Sequence, residues 1–238
     1  MKTALITGGS SGIGLEFTKQ FLERGSRVIA ASREALNAES LRSLQEEYGE
    51  ERLLIRSLDV GDEESRRGFF SSLSEQIERI DYLVNSAGIV SGDEETRTAF
   101  GTLDQTELSR TFLINTIAPV MVVQDALSLM KNGVEPVVVN ISSSNGSIAQ
   151  RNVGGKYSYC ASKAGLNMMT KILAADLREA GVIVVAFHPG WVKTRMTRNE
   201  PAPMEATESV SGMLHVLETI RPEDSGAFLD WQGNVMPW

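Results

Sequence analysis

Cysteine is nearly absent from this chain. Cys160 is the single thiol among 238 residues, which excludes an internal disulfide and a cysteine-rich metal centre and fits a reducing compartment. Histidine is almost as scarce, with His188 and His215 alone, so no metal site is expected. Aromatic residues amount to 6%, too few for a platform on which single-stranded nucleic acid could stack. Net positive charge is missing too: the formal charge of −8 would repel both nucleic acid and an anionic membrane. No apolar run approaches the length of a bilayer span, and Lys2 leads straight into the strand-like TALIT without the apolar stretch of a signal peptide. These absences together predict a soluble, cytoplasmic protein with neither nucleic-acid nor membrane partners.

What is present is a core-forming chain. Its 42% hydrophobic content is enough for one large α/β domain over residues 1–238. Strand-like runs are expected at residues 2–7, 27–31, 53–58, 81–85, 135–141, 182–187 and 227–229. A helical stretch is expected to leave the loop at residues 7–14 and run to about residue 24, and others at about 36–48, 62–78, 104–130, 157–180 and 207–220. This alternation implies βαβ units with right-handed crossovers. Near-continuous apolar strands such as PVVVNI and VIVVAF imply helices on both faces of a parallel sheet. Residues 91–102 and 191–206 read as surface segments bordering a cleft, the second as a lid.

Two stretches carry chemistry. Thr7-Gly8-Gly9-Ser10-Ser11-Gly12-Ile13-Gly14 falls between the first strand and its helix, where glycines admit a diphosphate to the helix amides. In SSSNGSIAQRNVGGKYSYCASK, Tyr159 and Lys163 are four apart and share a helix face. A free phenol has a pKa of about 10; a neighbouring ammonium lowers it toward useful acid–base range. Tyr157 has Ala161 four residues on and so lacks the lysine partner. The serine cluster does not make a hydrolase, since G-x-S-x-G and a suitable histidine are missing. Cys160 and the methionines, Met168 and Met169 included, read as packing residues.

These motifs resemble those of short-chain dehydrogenases/reductases. TGGSSGIG resembles T-G-x-x-x-G-[IL]-G, Asn85-Ser86-Ala87-Gly88 resembles N-N-A-G, Tyr159 to Lys163 resembles Y-x-x-x-K, and Pro189-Gly190 resembles the P-G motif. The resemblance implies a single-domain Rossmann-type doubly wound fold with a seven-stranded parallel sheet. It also implies a catalytic set of Asn115, Ser143, Tyr159 and Lys163. Ser143 precedes Tyr159 by sixteen residues, a longer interval than many members have, and Ser142 and Ser144 are the alternatives. Cofactor contacts carried over are Gly8, Ser11, Gly12, Ile13, Gly14, Asp59, Val60, Asn85, Ala87, Gly88, Pro189, Gly190, Val192 and Thr194, with Tyr159 and Lys163. Asp59 could instead cap the helix that follows it.

The second strand end decides the nucleotide. An acidic residue there would bind the ribose of NAD; Ala30-Ala31-Ser32-Arg33 offers a hydroxyl and a guanidinium to a 2′-phosphate. NADP(H) is therefore expected, clamped by Arg33 and Ser32. The runs NISSSNGSIAQRNVGGKYSYCASKAGLN and HPGWVKT, with the ending FLDWQGNVMPW, resemble the sniffer and C-factor branch of carbonyl reductases. That resemblance implies reduction of a small-molecule carbonyl, with oxidation of an alcohol or a signalling and sensory role as rivals. It also implies a dimer or tetramer. Arg195 stands where that branch has an aspartate, and is expected to favour an anionic or polar carbonyl substrate.

Overall fold

The computed structural model of the chain describes residues 1–90, 100–197 and 201–238. Most of the expected segment 91–102, and residues 198–200 of the expected lid, lie outside the described residues. Among the described residues seven strands form one parallel sheet: β1 (Thr3–Thr7), β2 (Arg27–Ser32), β3 (Leu53–Ser57), β4 (Tyr82–Asn85), β5 (Val137–Ile141), β6 (Ile183–His188) and β7 (Phe228–Asp230). Their order is β3-β2-β1-β4-β5-β6-β7. The winding direction therefore reverses between β1 and β4, and ligands bind outside the carboxyl ends at such a switch point.

Apolar strand residues alternate between two cores, as the period of 2 requires. Ala4 and Ile6 of β1 face a core completed by Phe17, Phe21 and Leu22 of helix α1 (Gly12–Glu23), Leu41 of α2 (Glu39–Tyr48) and Met213, Leu214 and Leu217 of α7 (Ala206–Thr219). Leu5 faces the other core, with Phe69, Phe70 and Leu73 of α3 (Glu63–Ser74) and Val122, Val123, Ala126 and Leu129 of α5 (Ala118–Lys131). Each of these large side chains contributes about 2 kcal/mol on burial.

The helix starts follow local chemistry. Asp62 caps α3, accepting the Ser65 amide at 2.6 Å, and Asp104 caps α4 (Gln105–Phe112), accepting the Glu107 amide at 2.9 Å. Such caps are worth about 1 kcal/mol each. α6 (Tyr157–Asp176) begins at the expected residue and ends in turns before Gly181.

The expected helix 104–130 is not continuous. α4 and α5 are joined by one π-helical segment, Leu113–Ile117. Pro119 explains it: without an N–H it cannot bond the carbonyl of Asn115, four residues back, as an α-helix would require. Within the helical run Gln105–Lys131 an 18-residue stretch reaches a mean hydropathy of 1.5, so the run is long and apolar enough to cross a membrane by length and composition. Here its inner face, including the fully buried Val122 and Ala126, packs on the sheet instead.

Candidate active site

At the carboxyl end of β1 the chain turns through the glycine loop into α1. Gly8 has φ +69°, and a Cβ there would lie 2.9 Å from the Ala87 nitrogen; a Cβ on Gly14 would lie 2.3 Å from the Gly8 carbonyl oxygen. Only glycine lets the loop, the helix start and residues 86–88 come so close. Ser11, the N-cap residue of α1, makes no side-chain bond to the helix amides. Those amides and the positive helix end therefore face the cleft at Gly12 and Ile13.

A cleft of about 1640 Å³ opens over these strand ends. Gly8, Ser11, Gly12 and Ile13 line it beside Ser32 and Arg33 from the end of β2, Asp59 and Val60 after β3, and Ala87 and Gly88 after β4. Ser32 Oγ donates to Ser10 Oγ at 2.9 Å, which ties the β2 end to the glycine loop. Arg33 is exposed, and among the described residues its guanidinium has no ion-pair partner. Asp59 does not cap α3, since Asp62 does; its Oδ1 accepts the Gly61 amide at 2.9 Å. Asn85 lies beneath the cleft wall, buried, donating to Asn140 Oδ1 at 2.9 Å across the β4–β5 pair.

Lys163 and Tyr159 emerge from α6 on one face, as their spacing predicts. The lysine is buried, and its Nζ donates to the carbonyl of Ile141 at the end of β5, at 2.7 Å. Its Nζ lies 5.8 Å from the centre of the Tyr159 ring. Burial lowers the Lys163 pKa to about 8, because an ammonium stripped of water is disfavoured. The group is still mainly cationic at pH 7. A methyl built on Gly88 would lie 3.4 Å from Asn115 Oδ1 and 3.7 Å from Lys163 Nζ, so the two polar groups converge there. Asn115 is fully buried in the π-helical segment and pairs twice with Ile89, at 2.8 Å to its amide and 2.8 Å to its carbonyl, and with Ser162 Oγ at 3.1 Å.

The serines differ in what their hydroxyls do. Ser142 donates to Asn167 Oδ1 at 2.6 Å, so its proton is committed. Ser143 accepts the Asn145 amide at 3.2 Å, which leaves its own O–H free to donate elsewhere. The longer interval to Tyr159 is braced by Arg151, which donates to Asn145 Oδ1 at 3.2 Å and to the carbonyls of Gly154 and Gly155 at 2.8 Å each. The Trp238 carbonyl accepts from the Ala149 amide at 2.9 Å and from Ser147 Oγ at 3.1 Å.

After β6, Pro189 and Thr194 reach the cleft. α7 fixes the turn, since Ser209 Oγ donates to the Pro189 carbonyl at 2.5 Å. Gly190 has φ +85° and packs toward Met204 and Trp231, while Val192 is buried and bridges to Met204. These two support the wall from behind. Arg195 is placed beside the glycine loop, its Nη2 3.4 Å from Ser11 Oγ.

The sequence model of the family described as short chain dehydrogenase matches residues 2–205. The chain belongs to that family. Within the family it is 41% identical to C-signal of Myxococcus xanthus over 159 residues, which cover 67% of this chain and 93% of that protein. Its fold superimposes on the NADPH-bound carbonyl reductase from chicken fatty liver with a TM-score of 0.91 and 34% identity, over 100% of this chain and 99% of that one. The carbonyl reductase Sniffer of D. melanogaster gives a TM-score of 0.91 with 26% identity over 100% of both chains. Both the family and its C-factor and sniffer branch agree with what the motifs imply.

Several residues of this short-chain dehydrogenase site have no role that the sequence pattern assigns. Arg110, Leu113 and Ile114 line the cleft from the broken helix, and Arg151 and Asn167 brace the serine loop. Pro119 was the one readable cue to the break, and the ending Pro-Trp the one cue to the Trp238 contact. Among the described residues no group of three His, Cys, Asp or Glu could hold a metal ion.

Proposed function

We propose that this short-chain dehydrogenase is an NADPH-dependent carbonyl reductase acting on an aldehyde, ketone or quinone. The observation that carries the reading is the buried Lys163 cation beside Tyr159 in the same cleft as the glycine cradle. The carboxyl ends of β2 and β5 are three strand spacings apart in the sheet, about 14 Å, which suits an extended dinucleotide laid across the switch point.

The residues fit that cofactor. Gly8, Ser11, Gly12, Ile13 and Gly14 would hold the diphosphate, Arg33 and Ser32 the 2′-phosphate, and Asp59 and Val60 the adenine. Ala87, Gly88, Pro189 and Thr194 would line the remainder, with Asn85, Gly190 and Val192 supporting from behind. When bound, NADPH supplies the hydride for the carbonyl carbon. Tyr159 gives its proton to the carbonyl oxygen, and Lys163 stabilises the phenolate left behind. Ser143, with its O–H free, hydrogen-bonds that oxygen as negative charge develops. Asn115 and Lys163 converge beside Gly88, where a water could complete a proton path back to the tyrosine.

NADPH oxidation assayed against a panel of aldehydes, ketones and quinones tests this reading. Tyr159→Phe is expected to abolish turnover and leave NADPH binding intact; substantial residual turnover would sink the assignment. The likeness to C-signal favours a second reading, an NADP(H)-binding sensor. NADPH binding with no turnover across the panel would support it. Net oxidation of alcohols would point to the reverse direction.

A further inference from the structure

Arg195 lines the cleft beside the glycine loop. We infer that Arg195 binds the diphosphate of the nucleotide, closing over the glycine loop, and does not select an anionic substrate. The inference rests on the cofactor reading above. Its guanidinium reaches Ser11, the residue that opens α1, with Nη2 3.4 Å from Ser11 Oγ. The adjoining backbone packs there as well, since a methyl on Gly12 would lie 3.4 Å from Thr194 Cγ2.

Arg195 is carried by a braced turn. Thr197 Oγ1 accepts the Thr194 amide at 2.9 Å and donates to the Val192 carbonyl at 2.6 Å, and the Lys193 amide donates to the Met204 carbonyl at 2.8 Å. The turn that carries Arg195 is thus fixed beside the loop, and its exposed guanidinium has only its own side chain to order, which lowers the ordering cost of using it.

Charge assigns it the diphosphate. Four cations line the cleft among the described residues: Arg33, Arg110, Lys163 and Arg195. Arg33 follows β2, Arg110 belongs to α4, and Lys163 is bonded to Ile141 at the β5 end. Arg195 is the one bonded to the glycine loop. A helix end offers about half a positive charge, whereas a diphosphate brings two negative charges. A guanidinium with forked donors supplies most of the remainder.

Calorimetric titration without substrate separates the possibilities. The probes are ADP, which has a diphosphate and no 2′-phosphate, 2′-AMP, which has the reverse, and NADPH. Arg195→Ala is expected to weaken ADP and NADPH roughly tenfold and leave 2′-AMP unchanged, with Arg195→Lys intermediate. Arg33→Ala should show the converse, weakening 2′-AMP and NADPH and sparing ADP. An unaltered thermal melt confirms that each variant is folded. Unchanged ADP and NADPH affinities in Arg195→Ala, or an effect confined to the KM of carboxylate-bearing carbonyls, would overturn this inference alone. Failure of the unsubstituted protein to bind NADPH would overturn the cofactor reading and this inference with it.

Discussion

Single side chains set the chemistry here, and two of them make it measurable. Lys163 is charged and buried, with its pKa lowered from 10.5 to about 8. The folded state therefore holds its proton less tightly than the unfolded chain does. Stability gains nothing from this group below pH 8, rises as pH climbs from about 8 toward 10.5, and levels off above that. The full gain is about 3 kcal/mol. Urea midpoints of the protein and of Lys163→Met, compared from pH 7 to 10.5, should diverge in that window in favour of the lysine form; parallel curves would refute the burial argument. Arg33 is the second. Exposed at the end of β2 and unpaired among the described residues, it makes Arg33→Asp a test of nucleotide choice. Its NADPH preference over NADH should fall at least tenfold, since a carboxylate repels the 2′-phosphate and accepts the ribose hydroxyl. An intact preference would remove Arg33 from the clamp.

At the scale of elements, the strands were legible because uninterrupted apolar residues leave few alternatives, and the glycine loop because its spacing needs a strand before it and a helix after. The broken helix was not. Apolar periodicity runs through residues 104–130, and the break at Leu113–Ile117 depends on which carbonyl Pro119 fails to bond. That break turns Asn115 toward Ile89, where both amide atoms pair with the same residue's backbone. Asn115→Ala would strand two backbone groups and should cost about 2 kcal/mol or more of stability, read as a fall in the urea midpoint at unchanged slope. A cost below a few tenths of a kcal/mol would show that water replaces the amide freely. The serine was legible only by family register; what distinguishes Ser143 from Ser142 is the direction of a hydroxyl proton, which depends on Asn167 twenty-five residues away.

For the molecule as a whole, the site is assembled from both sides of the β1–β4 junction. Ala4 to Thr7 pair with Tyr82 to Asn85, so the central ladder joins segments far apart in the chain, and such pairings form slowly. All three tryptophans, Trp191, Trp231 and Trp238, lie in the last fifth of the sequence, around the β6–β7 edge. Their emission follows the packing of that edge, whereas NADPH fluorescence follows completion of the nucleotide cleft. In refolding from urea, tryptophan emission should recover before NADPH binding does, and a single shared rate would show that the two halves fold as one. If tryptophan emission does recover first, the strand order that places a cleft at the middle of the sheet makes that cleft the last part of the molecule to become competent, and a half-assembled chain is exposed to aggregation while it waits.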